Sequence, residues 1–218
     1  MIGAHPGGLT LTRRLLGLAN APGPVTASGI PVKALDLGAG TGESVRYLRT
    51  LGYDAVGIDR DAGADGKDLF SVGAARASVI RGDMTALPYP EESVDLCLAE
   101  CSVAVCGDGP RALREAYRVL RPGGSLLLSD VFFQKEHAPC LSMPEPLTFS
   151  CWEREILRAG FCLRKSLDET VLWREFFLES LWNDNADDGF CDFFLEAGKA
   201  GCGYFLAWLW KGEKDGLI

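Results

Sequence analysis

The 218-residue chain predicts an α/β fold in which a mostly parallel sheet is covered by helices. Three observations lead there. Short β-type runs alternate with helix-length segments from Val32 onward. Most of those runs are almost continuously apolar, as strands buried on both faces must be. A glycine-rich turn at Gly38, Gly40 and Gly42 joins the first run to the first following helix.

Taken in order, residues 1–31 are punctuated by Gly7-Gly8, Pro22-Gly23-Pro24, Gly29 and Pro31, with a helix from about Leu9 to Leu18 between the breakers. This segment reads as an N-terminal arm or lid, and residues 32–218 as the domain proper. Strands are expected at Val32–Leu37, Ala55–Ile58, Ser78–Ile80, Val94–Ala99 and Ser125–Phe132, with a last one at Gly203–Trp210. Ser44–Arg49 is helix-like. Pro110–Leu120 places Leu113, Ala116, Tyr117 and Leu120 at helical spacing, with Arg121-Pro122-Gly123-Gly124 as its stop. Ser150-Cys151-Trp152-Glu153 has the pattern of a capping box, opening a helix that runs to Ala159 and stops at Gly160.

Beyond Gly160 the composition shifts: residues 171–210 hold 11 of the 21 aromatic side chains. Val171–Trp182 and Asp188–Gly198 read as two helices inserted before the last strand, making 171–198 a helical, aromatic-rich insert. Such an insert either roofs a pocket or packs a helical layer or dimer contact, because aromatic rings dominate cores and interfaces alike.

Charge narrows the partners. Thirty acidic residues against 22 basic ones give a net charge of -8, which argues against a nucleic-acid substrate, whose backbone is bound mainly by Lys and Arg. The eight cysteines include no C-x-x-C pair, and the chain is long enough to bury a core without disulfides. The apolar stretch Leu15–Ala19 is too short for a secretory signal, and no run approaches the roughly 20 apolar residues of a membrane span. A cytoplasmic protein with mostly free thiols, monomeric or homodimeric, is expected.

The most informative segment is Ala34-Leu35-Asp36-Leu37-Gly38-Ala39-Gly40-Thr41-Gly42-Glu43. Glycines at a strand-to-helix turn allow positive φ and close backbone approach to a ligand, and the helix N-terminus favours anionic groups. A dinucleotide fingerprint G-x-G-x-x-G needs its third glycine at position 43, where a carboxylate would instead repel a pyrophosphate. Asp59 ends the second strand, where a carboxylate accepts hydrogen bonds from ribose hydroxyls. Asp83-Met84 follows the third, where an acid can take an exocyclic amine while the thioether packs on a ring.

These segments jointly resemble the class I S-adenosylmethionine-dependent methyltransferases of the type 11 kind. The matching residues are LDLGAGTG at 35–42, VGID at 56–59, GDMTALPYPEESVDLCLAE at 82–100 and ALREAYRVLRPGGSLLLSD at 112–130. HPGGLTLT at 5–12 with AECSV at 99–103 further resembles a bacterial subgroup found with selenium-dependent molybdenum hydroxylase systems. The resemblance implies a Rossmann-like, doubly wound sheet of seven strands, mostly parallel, with an antiparallel last strand and helices on both faces. It implies S-adenosyl-L-methionine as cofactor and S-adenosyl-L-homocysteine as product. Asp36, Gly38, Gly40 and Gly42 would hold the methionine part, Asp59 the ribose, and Asp83 with Met84 the adenine, with Ala39, Thr41, Arg60 and Glu100 also among the cofactor-binding residues.

Methyl transfer from a sulfonium is an in-line displacement that needs mainly alignment, so a catalytic base is optional. Glu100, directly after the fourth strand, and His137, in the loop after the fifth, are the candidates; His5 matters only if the arm folds over the cofactor. The primary expectation is methyl transfer to a small-molecule acceptor. Two alternatives stand beside it: a non-catalytic cofactor-binding accessory protein in enzyme maturation, and metalloid methylation in which Cys101, Cys106 and Cys140 capture a soft ion. No resident metal is expected on the primary reading.

Overall fold

The computed structural model describes residues 6–19, 23–26, 29–63, 79–135, 141–182 and 196–213. Helix α1 (Gly8–Leu18) precedes β1 (Lys33–Leu37), α2 (Glu43–Thr50), β2 (Asp54–Asp59), β3 (Val79–Arg81) and β4 (Val94–Glu100). A 3-10 turn at Val103–Val105, α3 (Gly109–Val119), β5 (Leu120–Phe133), α4 (Phe149–Arg158), β6 (Cys162–Asp168), α5 (Thr170–Trp182) and β7 (Cys202–Trp210) follow. The seven strands form one sheet in the order β3-β2-β1-β4-β5-β7-β6.

Strands β1 to β5 run parallel, with Leu35 beside both Val56 and Cys97, and Leu98 beside Leu127. Away from the ends of β1 to β3 and from the start of β5 their side chains are mostly buried, which is why the sequence shows apolar runs there. Strand β7 lies antiparallel between β5 and β6, pairing Leu128 with Ala207 and Leu167 with Leu206. The fold class expected from the sequence is therefore the one present. Chain order runs outward from β1 to β3 and then reverses at β4, so β1 and β4 flank the switch point beyond whose strand tips ligands bind in such sheets.

Several local expectations need correction. Helix α4 is capped by Thr148, whose hydroxyl accepts from the Cys151 N–H at 3.2 Å; Ser150 sits exposed in the first turn and is not the cap. Helix α3 ends at Val119 and passes straight into β5, and Arg121–Gly124 is a bulge within that strand rather than a loop before it. The register shows this: Val94 pairs with Leu120, but Leu96 pairs with Ser125. Strand β6, named by no apolar run, is an edge strand with mostly exposed residues.

Helix α1 is packed rather than loosely appended, with Leu11 and Leu15 fully buried. Helix α5 matches the first half of the expected insert, and Trp173 is buried. The second half falls largely in 183–195, outside the described residues. On β7, Phe205 packs edge-on against Trp152 of α4 and Phe149, so this aromatic fills the layer between sheet and helix.

Candidate functional site

The tips of β1, β2 and β4 open onto a cleft with two lobes that share Gly38 and Cys101. Its floor is the turn after β1. Gly38, Gly40 and Gly42 all have positive φ (79°, 49° and 73°), and the N–H groups of Gly38 and Ala39 both donate to the Ile58 carbonyl. A side chain at position 38 would collide with its neighbours, since a Cβ built there lies 2.5 Å from Ser102 Cβ and 3.1 Å from Met84 Cε. The glycine requirement is therefore both conformational and steric.

One lobe is lined by Asp36, Gly38, Ala39, Thr41, Glu43, Ser44, Glu100 and Cys101. Asp36 is 4% exposed and receives no hydrogen bond from the described residues; burial first, then the Glu100 and Asp59 charges, raises its carboxyl well above the ordinary range. Glu100 is almost as buried but well provided: Ser44 Oγ donates to it at 2.9 Å, and Thr12 Oγ1 at 3.1 and 3.0 Å. Glu43 opens α2 at the lobe wall, as the sequence places it.

The second lobe carries Asp59, Arg60, Gly82, Met84, Ser102, Val105 and Cys106 along with Gly38 and Cys101. Asp59 Oδ2 accepts from the Gly40 N–H at 2.8 Å and Oδ1 from the Asp61 N–H at 2.9 Å, so this carboxylate is fixed to the glycine turn. Each oxygen retains a lone pair. Asp83 stands at the rim, where the Thr85 N–H first, and then the Thr85 hydroxyl and the Arg60 guanidinium, hold its carboxyl below the usual range against the opposing effect of burial. Arg60 donates both to Asp83 and to the Cys106 carbonyl, which staples the β2 tip to the segment after β4.

That segment depends on Ser102 and Asp130, which lie within the matching motifs but carry no expected role there. Ser102 Oγ donates to the Leu37 carbonyl at 2.7 Å, holding the β4 tip against the glycine turn. Asp130, buried on β5, accepts from the N–H groups of Ala104 and Val131 at 2.9 Å each; burial pushes its pKa up to about 7 against the pull of those donors. Cys101 adopts a positive φ of 52° and directs its thiol at the Tyr204 hydroxyl, 3.2 Å away, which in turn lies 2.9 Å from Ser129 Oγ.

The structure thus brings Asp36, Gly38, Ala39, Thr41, Asp59, Arg60, Met84 and Glu100 to one cleft, with Gly40 and Gly42 shaping its floor and Asp83 at its edge. His5, His137 and Cys140 lie outside the described residues. Cys101 and Cys106 share a lobe, but burial raises both thiols, so neither offers a ready thiolate at neutral pH. Among the described residues no three His, Cys, Asp or Glu side chains converge as a metal-binding group, and metalloid capture draws no support. Among them, too, no helix is long and apolar enough to cross a membrane.

Comparison with known proteins agrees with this geometry. The family described as "Methyltransferase domain" matches residues 35–128, from the glycine turn to the middle of β5. A malonyl-[acyl-carrier protein] O-methyltransferase of Yersinia pestis is 38% identical over 95 residues, covering 44% of this chain and 35% of that protein. The uncharacterized methyltransferase YodH of Bacillus subtilis is 31% identical over 157 residues, covering 70% of this chain and 64% of its own. The chain spans well under half the length of the malonyl-[acyl-carrier protein] relatives it matches. Among solved structures, the [4+2]-cyclase SpnF superposes with a TM-score of 0.70 at 21% identity, over 94% of this chain and 81% of that one. Over residues 35–128 this chain carries a methyltransferase domain of that family, set in the class I S-adenosylmethionine-dependent methyltransferase fold.

Proposed function

We propose that the protein binds S-adenosylmethionine in the two-lobed cleft and transfers its methyl group to a small-molecule acceptor. The observation that carries this reading is the coupling of the glycine turn to Asp59. The carboxylate that would take the ribose is hydrogen-bonded at 2.8 Å to Gly40 of the turn that would hold the methionine part. Asp36 supplies a second argument: a buried acid without a hydrogen bond from the described residues, at the end of the cleft where an ammonium group would sit. The residues fit the cofactor.

Bound there, S-adenosylmethionine supplies an electrophilic methyl carbon on a sulfonium. The chain's own contribution is alignment. The positive-φ glycines bring backbone N–H and C=O groups close to the ligand without side chains in the way. Met84 packs beneath Gly38, and Ser102 and Arg60 keep the β4 tip and the β2 tip at a fixed separation, so both ends of an elongated ligand are held on one rigid frame. Cys101 stands where the two lobes meet, with its S–H turned to Tyr204, and it presents sulfur rather than a proton to that junction. Glu100, which lines the same lobe, is the carboxylate we assign to the cofactor ammonium or to an acceptor proton.

A small acceptor is supported by the net charge of -8 and by the name of the Yersinia pestis relative, an O-methyltransferase of a carrier-bound malonyl group. On this reading residues 1–31 form an arm over the cleft and residues 171–198 an insert on the acceptor side. Fold alone would not carry transferase activity, since a [4+2]-cyclase shares it. The test is calorimetric titration of the purified protein with S-adenosylmethionine, S-adenosylhomocysteine and NAD, together with the Asp59→Ala variant. Binding of both sulfur nucleosides, absent for NAD and lost in the variant, is the expected result. Failure of either nucleoside to bind the unaltered protein would overturn the proposal.

A further inference from the structure

The glutamate at the tip of β4 is held from a place far outside the matched segment. Thr12, on α1, is fully buried, and its hydroxyl reaches both carboxylate oxygens of Glu100 at 3.1 and 3.0 Å. Ser44 of α2 donates to the same carboxylate and lies 3.4 Å from Thr12 Oγ1. Three elements separated by 32 and 56 residues therefore meet on one acid. The helix carrying Thr12 is anchored on both sides of that contact: Leu11 and Leu15 are buried in the core, and Arg14 makes a two-pronged ion pair with Glu169, before α5. Its place over the site is fixed.

A buried hydroxyl is costly unless it is bonded, and the bonds made here are to a group that lines the cleft. Thr12 itself does not line it. Glu100 shares its lobe with Asp36, which is 96% removed from solvent and takes no hydrogen bond from the described residues. Two buried acids lining one lobe repel each other, and a ligand ammonium received by both would offset that repulsion. We propose that Thr12 is a positioning residue for the ligand: by donating to Glu100 it fixes that carboxylate so that, with Asp36, it receives the ammonium of the amino-acid part of S-adenosylmethionine. This rests on the reading of the cleft as an S-adenosylmethionine site.

The consequence is selective. Thr12 matters for ligands that carry the amino-acid part and not for those that end at the thioether. The experiment titrates the full chain and its Thr12→Val, Thr12→Ser and Glu100→Gln variants with S-adenosylmethionine and with 5′-methylthioadenosine, which keeps the adenosine and sulfur but has no ammonium. Thr12→Val is expected to weaken S-adenosylmethionine roughly tenfold, the size of losing a hydrogen bond to a charged group, and to leave methylthioadenosine within about twofold. Thr12→Ser restores binding, and Glu100→Gln, which keeps the side-chain shape, reproduces the same split. Unchanged S-adenosylmethionine binding in Thr12→Val, or equal loss of both ligands in Thr12→Val and Glu100→Gln, would overturn the assignment. If the unaltered chain binds neither ligand, the reading of the cleft itself fails, which is a different result from a bound ligand indifferent to Thr12.

Discussion

Asp130 offers the sharpest test of the electrostatics, because its burial has a sign as well as a size. The carboxyl lies on β5 with only 2% of its residue exposed, and its pKa is pushed from 3.8 up to about 7. Desolvation outweighs the backbone N–H groups of Ala104, Val131 and Val103 that favour the charged form. The folded state therefore holds this proton more tightly than the unfolded chain does. Its stabilising contribution is complete below pH 3.8 and disappears as pH rises through about 7. At about 1.4 kcal/mol per pH unit the full span is roughly 4 kcal/mol, and the part between pH 5 and pH 7 is roughly 2 kcal/mol. The groups Asp130 acts upon, Cys101, Cys106, Cys202 and Tyr204, are themselves raised and stay neutral in this window, so they add no slope. Asp36 has the same sign but remains in the variant.

The perturbation is Asp130→Asn and the assay is urea unfolding at intervals from pH 5 to pH 8. The carboxamide costs stability at every pH, since its NH2 faces donors that the carboxylate accepted, but that cost is flat. What changes is the slope: the unaltered protein loses roughly 2 kcal/mol more than the variant between pH 5 and pH 7. Parallel curves for the two proteins would refute the reasoning, because they would mean Asp130 titrates alike in the folded and unfolded chains.

Two further outcomes follow from local geometry. Gly38→Ala places a Cβ 2.5 Å from Ser102 Cβ at a φ of 79°; the strain and overpacking together cost about 2–4 kcal/mol, and calorimetry should show cofactor affinity falling at least tenfold. Affinity within twofold of the unaltered protein would mean the turn relaxes freely. Thr148→Ala should lower stability to urea by about 1 kcal/mol through loss of the α4 cap, while Ser150→Ala stays within about 0.5 kcal/mol; the reverse order would restore Ser150 as the cap.

The parallel half of the sheet was legible because burial on both faces leaves no choice of residue type, as in Leu96, Cys97, Leu98 and Ala99. Strand β6 was not. At the sheet edge, Cys162 to Asp168 are mostly exposed, so the strand is defined by its pairing with β7 rather than by any pattern of its own. The capping error at Ser150 has a similar cause: a capping box is a four-residue pattern, and whichever hydroxyl meets a free helix N–H is decided by where the chain enters the helix, here two residues earlier at Thr148.

The same division runs through the site. Gly38, Gly40, Gly42, Asp59 and Met84 sit within a turn or at strand tips whose positions the sheet register dictates, so their spacing along the chain already encodes their spacing in space. Thr12, Ser44 and Ser102 contribute hydroxyls across 56 to 88 residues, and a lone hydroxyl has no spacing to read. Yet these decide what the acids are able to do. Asp36 and Glu100 are indistinguishable as sequence letters at the tips of neighbouring strands, but one lacks donors among the described residues while the other is gripped by two hydroxyls. An acid held by two hydroxyls is oriented yet keeps acceptor capacity for a ligand, and an acid with no donor among the described residues has that capacity whole. The cleft therefore combines a carboxylate fixed by two hydroxyls with one that takes no hydrogen bond from the described residues, and one of those hydroxyls, on Thr12, comes from a helix outside the matched domain.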